Sequence, residues 1–283
     1  MIILKTIAAT QQFILAEKQT GKTIGFVPTM GALHAGHISL VQQAKSETNL
    51  VVVSIFVNPA QFNDPKDLEK YPVTIEADTE KLIAAGVDAL FLPSVAEMYP
   101  DAASRQMHYD LGYIDTVLEA AARPGHFKGV ALVVKKLLDI VTPHKLYMGQ
   151  KDYQQLQVVR KLIADFDLDI ELVSCPIIRE PDGLAMSSRN VRLTGAHRIV
   201  ATELSKALFQ IKEDIIKQTL PAAKATAQQH LNSHLLIDVV YLEIVNGHTL
   251  VPVDNVNEVT NITALLAAKV GGVHLLDNII LKP

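Results

Sequence analysis

Two histidines separated by two residues, His34 and His37, form the feature of the sequence best suited to chemistry. They end the stretch Pro28-Thr-Met-Gly-Ala-Leu-His-Ala-Gly-His37, between a strand predicted at 23–28 and a helix predicted from Gly36. The free N–H groups at a helix N-terminus favour anions, and an imidazole donates hydrogen bonds to phosphate oxygens. The Lys and Ser/Thr that complete a P-loop do not follow the glycines, and the dinucleotide-binding fingerprint does not match. The turn favours phosphate binding, and a helix cap with exposed histidines is the alternative.

A second strand–glycine–helix junction carries a lysine. Gly149-Gln150-Lys151-Asp152 follows a predicted strand, and Gln155 lies one helical turn beyond Lys151. Lys151 is suited to neutralising phosphate, whereas Asp152 is suited to a helix N-terminus, a ribose or a metal. No spacing in the chain fixes a full set of metal ligands, so no residue is assigned to a metal.

Three further polar segments are candidates. Asn58 and Gln61 follow an apolar strand and offer donors and acceptors for hydroxyl or carboxylate groups, although an ordinary Asn-Pro turn is the alternative. The cationic loop 123–129 precedes a predicted helix and is otherwise a solvated loop. In 184–190, two hydroxyls and a guanidinium are suited to phosphate or to capping the next helix.

These segments need a scaffold, and the first 175 residues supply alternating strand and helix patterns. The predicted strands are 23–28, 50–57, 89–92, 145–148 and 169–175, and the predicted helices are 36–45, 74–85, 130–140 and 152–164. Strands separated by helices predict a doubly wound parallel sheet, in which ligands bind at the carboxyl ends of the strands. Four of the segments fall at such ends, a placement typical of phosphoryl or nucleotidyl transfer.

After Pro176 the pattern changes. Helices are predicted at 196–218 and 221–234, followed by strands at 237–245, 262–268 and 274–281. We therefore expect a first domain at 1–175 and a smaller α+β domain at 176–283.

The composition excludes several classes of protein. Of 283 residues, 49% are hydrophobic and 20% charged, a globular balance that excludes wholesale disorder. Lys and Arg total 26 against 30 Asp and Glu, without a basic stripe, which argues against nucleic acid as a partner. Cys175, the single cysteine, is interpreted as an inert thiol at a strand end. Since neither a signal peptide nor a membrane span is predicted, a cytoplasmic protein is expected.

With these motifs in this order, the chain resembles the pantoate–β-alanine ligases along essentially its whole length. The matching segments are 28–37, 57–62, 123–127, 149–155 and 186–190. His-x-Gly-His alone would indicate only the wider nucleotidyltransferase superfamily. The resemblance implies a Rossmann-like first domain, a smaller C-terminal lid, a homodimer and Mg²⁺ with ATP as co-substrate. The sequence departs from the family pattern at Met148, Gln150 and Lys128, which flank the expected contacts.

The resemblance also implies roles for individual residues. His37 is the expected proton donor, with His34, Lys151 and Arg189 as further catalytic groups. Gln61, Gln155 and Asn58 are expected to bind substrate. The expected ATP contacts are Met30, Gly31, Ala32, Leu33, His34, Ala35, Gly36, His37, Gly149, Gln150, Lys151, Asp152, Ile178, Met186, Ser187, Ser188 and Arg189.

The implied reaction joins (R)-pantoate to β-alanine through a pantoyl-adenylate, giving pantothenate, AMP and pyrophosphate on the way to coenzyme A. A carboxylate ionised at pH 7 needs no base to attack ATP, so cations and Mg²⁺ have only to spread the developing charge. Two alternatives remain: a nucleotidyltransferase with a phosphate acceptor, and a nucleotide-binding regulatory module without catalysis.

Overall fold

The computed structural model describes residues 1–106 and 108–282, which form a six-stranded parallel sheet and a three-stranded antiparallel sheet. The first sheet has the order β1-β4-β3-β2-β5-β6. Its strands are β1 (Ile2–Leu4), β2 (Ile24–Thr29), β3 (Leu50–Ile55), β4 (Ala89–Phe91), β5 (Lys145–Gly149) and β6 (Glu171–Cys175). The predicted Rossmann-like parallel sheet is confirmed.

Alternation of side chains places apolar residues on both faces of this sheet. Phe26 and Val52 face one cluster, and Val27 and Val53 face the other, all fully buried. A strand buried on both faces has a continuous apolar sequence, as Leu50–Ile55 does. The helices that line or connect these faces are α1 (Ile7–Gln19), α2 (Ala35–Glu47), α3 (Pro65–Glu69), α4 (Ile75–Ala84), α5 (Val95–Met98), α6 (Glu119–Ala122), α7 (His126–Val141) and α8 (Tyr153–Asp165).

The chain from 176 onward forms a smaller α+β unit with its own apolar core. Its helices are α9 (Gly195–Val200), α10 (Glu203–Asp214) and α11 (Leu220–Asn232). Its strands are β7 (Ile237–Asn246), β8 (Ile262–Val270) and β9 (Val273–Lys282), paired antiparallel in that order. A domain boundary at 176 stays a prediction.

Several element predictions need correction. The single helix predicted at 196–218 is two helices, α9 and α10, because the N–H groups of Thr202 and Leu204 donate to carbonyls three residues back and so interrupt the α-helical pattern. The helix predicted from 130 begins at His126, after Gly125 adopts a left-handed φ of 83°. The prediction also missed β1 and α1.

Candidate active site

The functional segments meet where the strand order reverses. From β2 the chain runs outward through β3 and β4, whereas β5 lies on the other side of β2. In doubly wound sheets the crevice at such a reversal, outside the carboxyl ends of the strands, binds ligands. The histidine turn follows β2 and the Gly149–Asp152 segment follows β5, so the topology brings the two together.

The two histidines cap helix α2 with their own rings. The Gly36 N–H donates to His34 Nδ1 at 3.2 Å, and the His34 N–H donates to His37 Nδ1 at 3.3 Å. Because each Nδ1 accepts a hydrogen bond, the neutral rings carry their proton on Nε2. A Cβ at position 36 would lie 2.9 Å from the His34 ring, so this close approach requires glycine. The turn therefore provides two Nε2–H donors.

Both rings are neutral in the free protein at neutral pH. Burial, followed by the Lys151 ammonium, lowers the pKa of His34 to about 4. Burial, followed by the neighbouring His34 ring, lowers the pKa of His37 to about 3. The ring centroids are 4.1 Å apart. These groups are therefore hydrogen-bond donors for an anion rather than cations.

A buried carboxylate fixes the turn that carries the rings. Asp78 of α4 is fully buried and accepts from the N–H groups of Ala32 at 2.7 Å and Leu33 at 2.8 Å. Ala32 has a φ of 49°, a conformation that costs energy for a residue with a side chain. Lys81 donates to the Leu33 carbonyl at 2.6 Å. α4 thus holds the turn by its backbone groups.

The segment after β5 is held by the smaller unit. The Asn278 side chain donates to the backbone carbonyls of Gln150 and Lys151, both at 2.9 Å. Within the cleft, burial opposes ionisation of Asp152, but Lys151 and Arg189 hold its pKa below the ordinary value. The Lys151 ammonium lies 3.4 Å from the Asp152 carboxylate. The two side chains form a charged pair inside the cleft.

The 186–190 segment closes against the histidine turn. Ser188 donates from its hydroxyl to the Ala32 carbonyl at 3.0 Å. The Arg189 guanidinium pairs with Asp67 at 2.8 Å and lies 5.5 Å from the centre of the Tyr71 ring. In the free protein Arg189 is therefore neutralised by a carboxylate of α3.

The Gln61 side chain is held in position by Asn58. Asn58 donates to the Gln61 Oε1 at 3.2 Å, and its Oδ1 accepts from the Tyr99 hydroxyl at 2.8 Å. Asn58 also donates to the Gly129 carbonyl. A Cβ at position 129 would lie 2.2 Å from the Ala60 carbonyl oxygen, so this packing requires glycine. Asn58 orients Gln61 and does not line the cleft.

Two connected cavities, of about 200 and 550 Å³, occupy the strand ends. The smaller is lined by both histidines and Ile178, and the larger extends toward β9 and α6. Seven residues line both: Met30, Gln61, Lys151, Asp152, Gln155, Ser187 and Arg189. Gly36, Gly149, Met186 and Ser188 line the smaller cavity. The remaining candidates line neither cavity: Gly31, Ala32, Leu33, Ala35, Gln150 and Asn58.

Sequence reasoning missed several cleft residues. Asp67 and Tyr71 contact Arg189, and Glu119 pairs with His274 at 2.8 Å in the larger cavity. Asn278 was missed as well. Asp277 and Asn278 of β9 belong to no recognisable sequence motif. Only the packing of the small sheet brings Asn278 to the segment after β5. Cys175 is buried, which raises its thiol pKa to about 11, and it lies outside both cavities.

The arrangement is suited to binding anions. Two imidazole side chains and Lys151 line the smaller cavity and offer donors and a positive charge suited to phosphate oxygens. Gln61 and Gln155 add amides at the junction of the two cavities. Such a site can neutralise and position phosphate while polar side chains hold a smaller molecule beside it.

No helix of residues 1–106 and 108–282 has the length and apolar character to cross a bilayer.

Comparison with known proteins places this geometry in a family. The family model described as pantoate-beta-alanine ligase matches residues 2–280. The pantothenate synthetase of Cytophaga hutchinsonii is 47% identical over 99% of both chains, and that of Thermotoga petrophila is 44% identical over 99% of this chain and 100% of its own.

Solved structures agree with this match. A crystal structure of pantothenate synthetase from Thermus thermophilus is 39% identical, covers 100% of both chains and gives a TM-score of 0.94. The pantoate-beta-alanine ligase of Francisella tularensis, complexed with beta-gamma ATP and β-alanine, is 37% identical over 99% of this chain and 98% of its own, with a TM-score of 0.82.

Proposed function

The chain belongs to the pantoate–β-alanine ligase family, and we propose that its strand-end cleft makes pantothenate in two steps through a pantoyl-adenylate. It is an ATP-dependent ligase of pantoate and β-alanine. The observation that carries the mechanism is the pair of Nε2–H donors facing the same small cavity as Lys151. Pantoate would lie between Gln61 and Gln155, where the two cavities join.

In the first step a pantoate carboxylate oxygen attacks the α-phosphorus of ATP. The bond from this phosphorus to the bridging oxygen breaks, and pyrophosphate leaves with the electron pair. His34 and His37, neutral in the free protein, would donate hydrogen bonds from Nε2 to the phosphate oxygens. Lys151 would neutralise charge on the same oxygens.

Mg²⁺ bound to ATP would supply further charge neutralisation on the phosphates. The residues present fit this ion because Asp152, beside Lys151, offers an ionised carboxylate. A carboxylate oxygen is the type of ligand that Mg²⁺ prefers. The homodimer implied by the family resemblance and a cytoplasmic site of action are part of the same proposal. Light scattering of the purified enzyme tests the dimer.

In the second step the β-alanine amine attacks the acyl carbon, the bond to the AMP oxygen breaks, and the amine proton passes to solvent. Arg123, on the wall of the larger cavity, would hold the β-alanine carboxylate. The adenylate would be shielded from water between the strand ends and the small sheet, whose Asn278 contacts the backbone of the phosphate-binding segment.

The test is ATP–pyrophosphate exchange with and without pantoate. We expect exchange only with pantoate, and AMP with pyrophosphate as products once β-alanine is added. Exchange without pantoate would favour a nucleotidyltransferase with another acceptor. ADP as product would replace the adenylate with an acyl phosphate, and ATP binding without turnover would leave only a regulatory module.

A further inference from the structure

A second pair of histidines lies far along the chain from the cleft, at the end of α11. The His234 N–H donates to the Leu231 carbonyl, so the helical turn continues past Asn232 and places His230 and His234 on one side. Glu203, the first residue of α10, faces them. One nitrogen of each ring and one carboxylate oxygen all lie within 4.8 Å of one another.

The distances are close to those of a tetrahedral metal site. Glu203 Oε2 lies 3.0 Å from His230 Nε2 and 3.8 Å from His234 Nε2. Ligand atoms about 2.0–2.1 Å from a tetrahedral Zn²⁺ are about 3.4 Å apart, so small ring rotations suffice. Two imidazoles one helical turn apart are a recurrent zinc-binding pair.

Glu203 is held in position for this role by a lysine. The Lys206 ammonium pairs with Oε1 at 2.7 Å, leaving Oε2 directed at the two imidazoles. With one carboxylate oxygen paired to an ammonium, the other oxygen remains available as a metal ligand.

The group also has room for a metal ion and is separate from the catalytic cleft. His230 and His234 are exposed over 44% and 31% of their side chains, so an ion and a water molecule have access. None of the three lines either cavity at the strand ends. A metal here would join the start of α10 to the end of α11 and thereby brace the small unit.

We propose that Glu203, His230 and His234 form a binding site for a divalent transition metal of the Zn²⁺ class, with water as the fourth ligand. Three protein ligands of nitrogen and oxygen type suit Zn²⁺, Co²⁺ or Ni²⁺ better than Mg²⁺. The role follows from the position: the ion stabilises the small unit and takes no part in ligation.

The experiment is Zn²⁺ binding to the full-length metal-free enzyme by equilibrium dialysis, with Co²⁺ as a spectroscopic substitute. Wild type should bind one Zn²⁺ more than His230→Ala or His234→Ala, each of which should weaken this site at least about tenfold. Any Zn²⁺ bound by the cleft histidines is the same in wild type and variants. The difference in bound Zn²⁺ between wild type and variants therefore measures the proposed site. His248→Ala, at an exposed turn, is the matched control and should bind like wild type.

Thermal unfolding separates metal binding from a structural contact. Zn²⁺ should raise the Tm of wild type and His248→Ala by about 5 °C at saturating metal, and should fail to raise that of the two site variants to the same extent. If the residues serve only as an ion pair, the variants lower the metal-free Tm and the Zn²⁺-induced rise stays the same in all proteins. That result, or equal Zn²⁺ uptake by all four proteins, overturns the proposal.

Discussion

The two histidine pairs of the molecule differ in what surrounds them. His34 and His37 begin a helix, and their Nδ1 atoms accept from backbone N–H groups. His230 and His234 end a helix, and their Nε2 atoms face the Glu203 carboxylate. The ring centroids are 4.1 Å apart in the first pair and 5.1 Å in the second.

The surrounding charge gives the pairs opposite preferences. Burial is the main reason why the first pair resists protonation; Lys151 and Lys81 add to this effect, and the Asp152 carboxylate partly offsets it. Glu203 beside the second pair favours a cation. A buried imidazole pair beside lysines is therefore suited to an anion, whereas a partly exposed pair facing a carboxylate is suited to a metal.

The largest expected effect is on catalysis, where a substitution in the first histidine pair should slow the reaction and one in the second pair should not. His37→Asn should slow pantoate-dependent pyrophosphate exchange by about 10²–10³-fold, because the shorter amide keeps an acceptor for the His34 N–H but cannot reach the phosphate. His37→Gln, whose amide reaches the Nε2 position, should retain more activity. His230→Ala should exchange at the wild-type rate.

The half-reactions give the decisive control. Chemically prepared pantoyl-adenylate should react with β-alanine on His37→Asn at a much less reduced rate than exchange. An equal loss in both steps would reject a role confined to phosphate. If His37→Asn were more active than His37→Gln, the loss would come from the contact with the His34 N–H and not from the missing Nε2–H donor.

A smaller effect tests the cation beside the first pair. Lys151→Ala should lower kcat/KM for ATP by about 10–100-fold, the loss of one hydrogen bond to a charged group. Lys212→Ala, at an exposed position on α10, is the control and should match wild type. Equal kinetics of the two variants would mean that Lys151 does not contact the phosphates.

Much of the scaffold could be predicted because periodicity reports burial. The run Leu50–Ile55 and the helical pattern of α8 are local signals, and so is the glycine-rich turn before α2. β1 was missed because three residues at a sheet edge give no periodicity. The split between α9 and α10 lies in backbone hydrogen bonds at Thr202 and Leu204, which apolar periodicity does not register.

The site could be predicted where its residues form motifs and not where packing alone assembles it. The histidine turn and Lys151 carry recognisable neighbours in the sequence. Asp78 and Asn278 act on backbone atoms 45 or more residues away, and such contacts leave no spacing to detect. Asn58 was expected at the substrate, but its side chain is buried against Tyr99 and orients Gln61 instead.

The backbone support of the first pair is tested by Asp78→Asn. An amide offers one acceptor where the carboxylate accepts from both Ala32 and Leu33, so one N–H loses its partner. We expect urea unfolding to show a loss of about 1–3 kcal/mol, together with slower exchange. Asp139→Asn, in an exposed ion pair with Lys135, should change stability by less than about 0.5 kcal/mol. Wild-type stability of Asp78→Asn would mean that the turn holds without α4.

The pH dependence of stability tests the protonation of the first pair. The folded protein keeps the pKa of His34 at about 4 and of His37 at about 3, against 6.5 in an unfolded chain. Between pH 6.5 and 4 the unfolded chain therefore binds protons that the folded one does not, and the free energy of unfolding should fall as pH falls. His34→Asn removes one such group, so its stability should depend less on pH in this window. NMR of the imidazole rings is the direct measurement: the His34 and His37 signals, assigned with the variants, should stay constant between pH 7.5 and 5. An inflection near pH 6.5 would mean that the cleft tolerates an imidazolium, and charge would then no longer distinguish the two pairs.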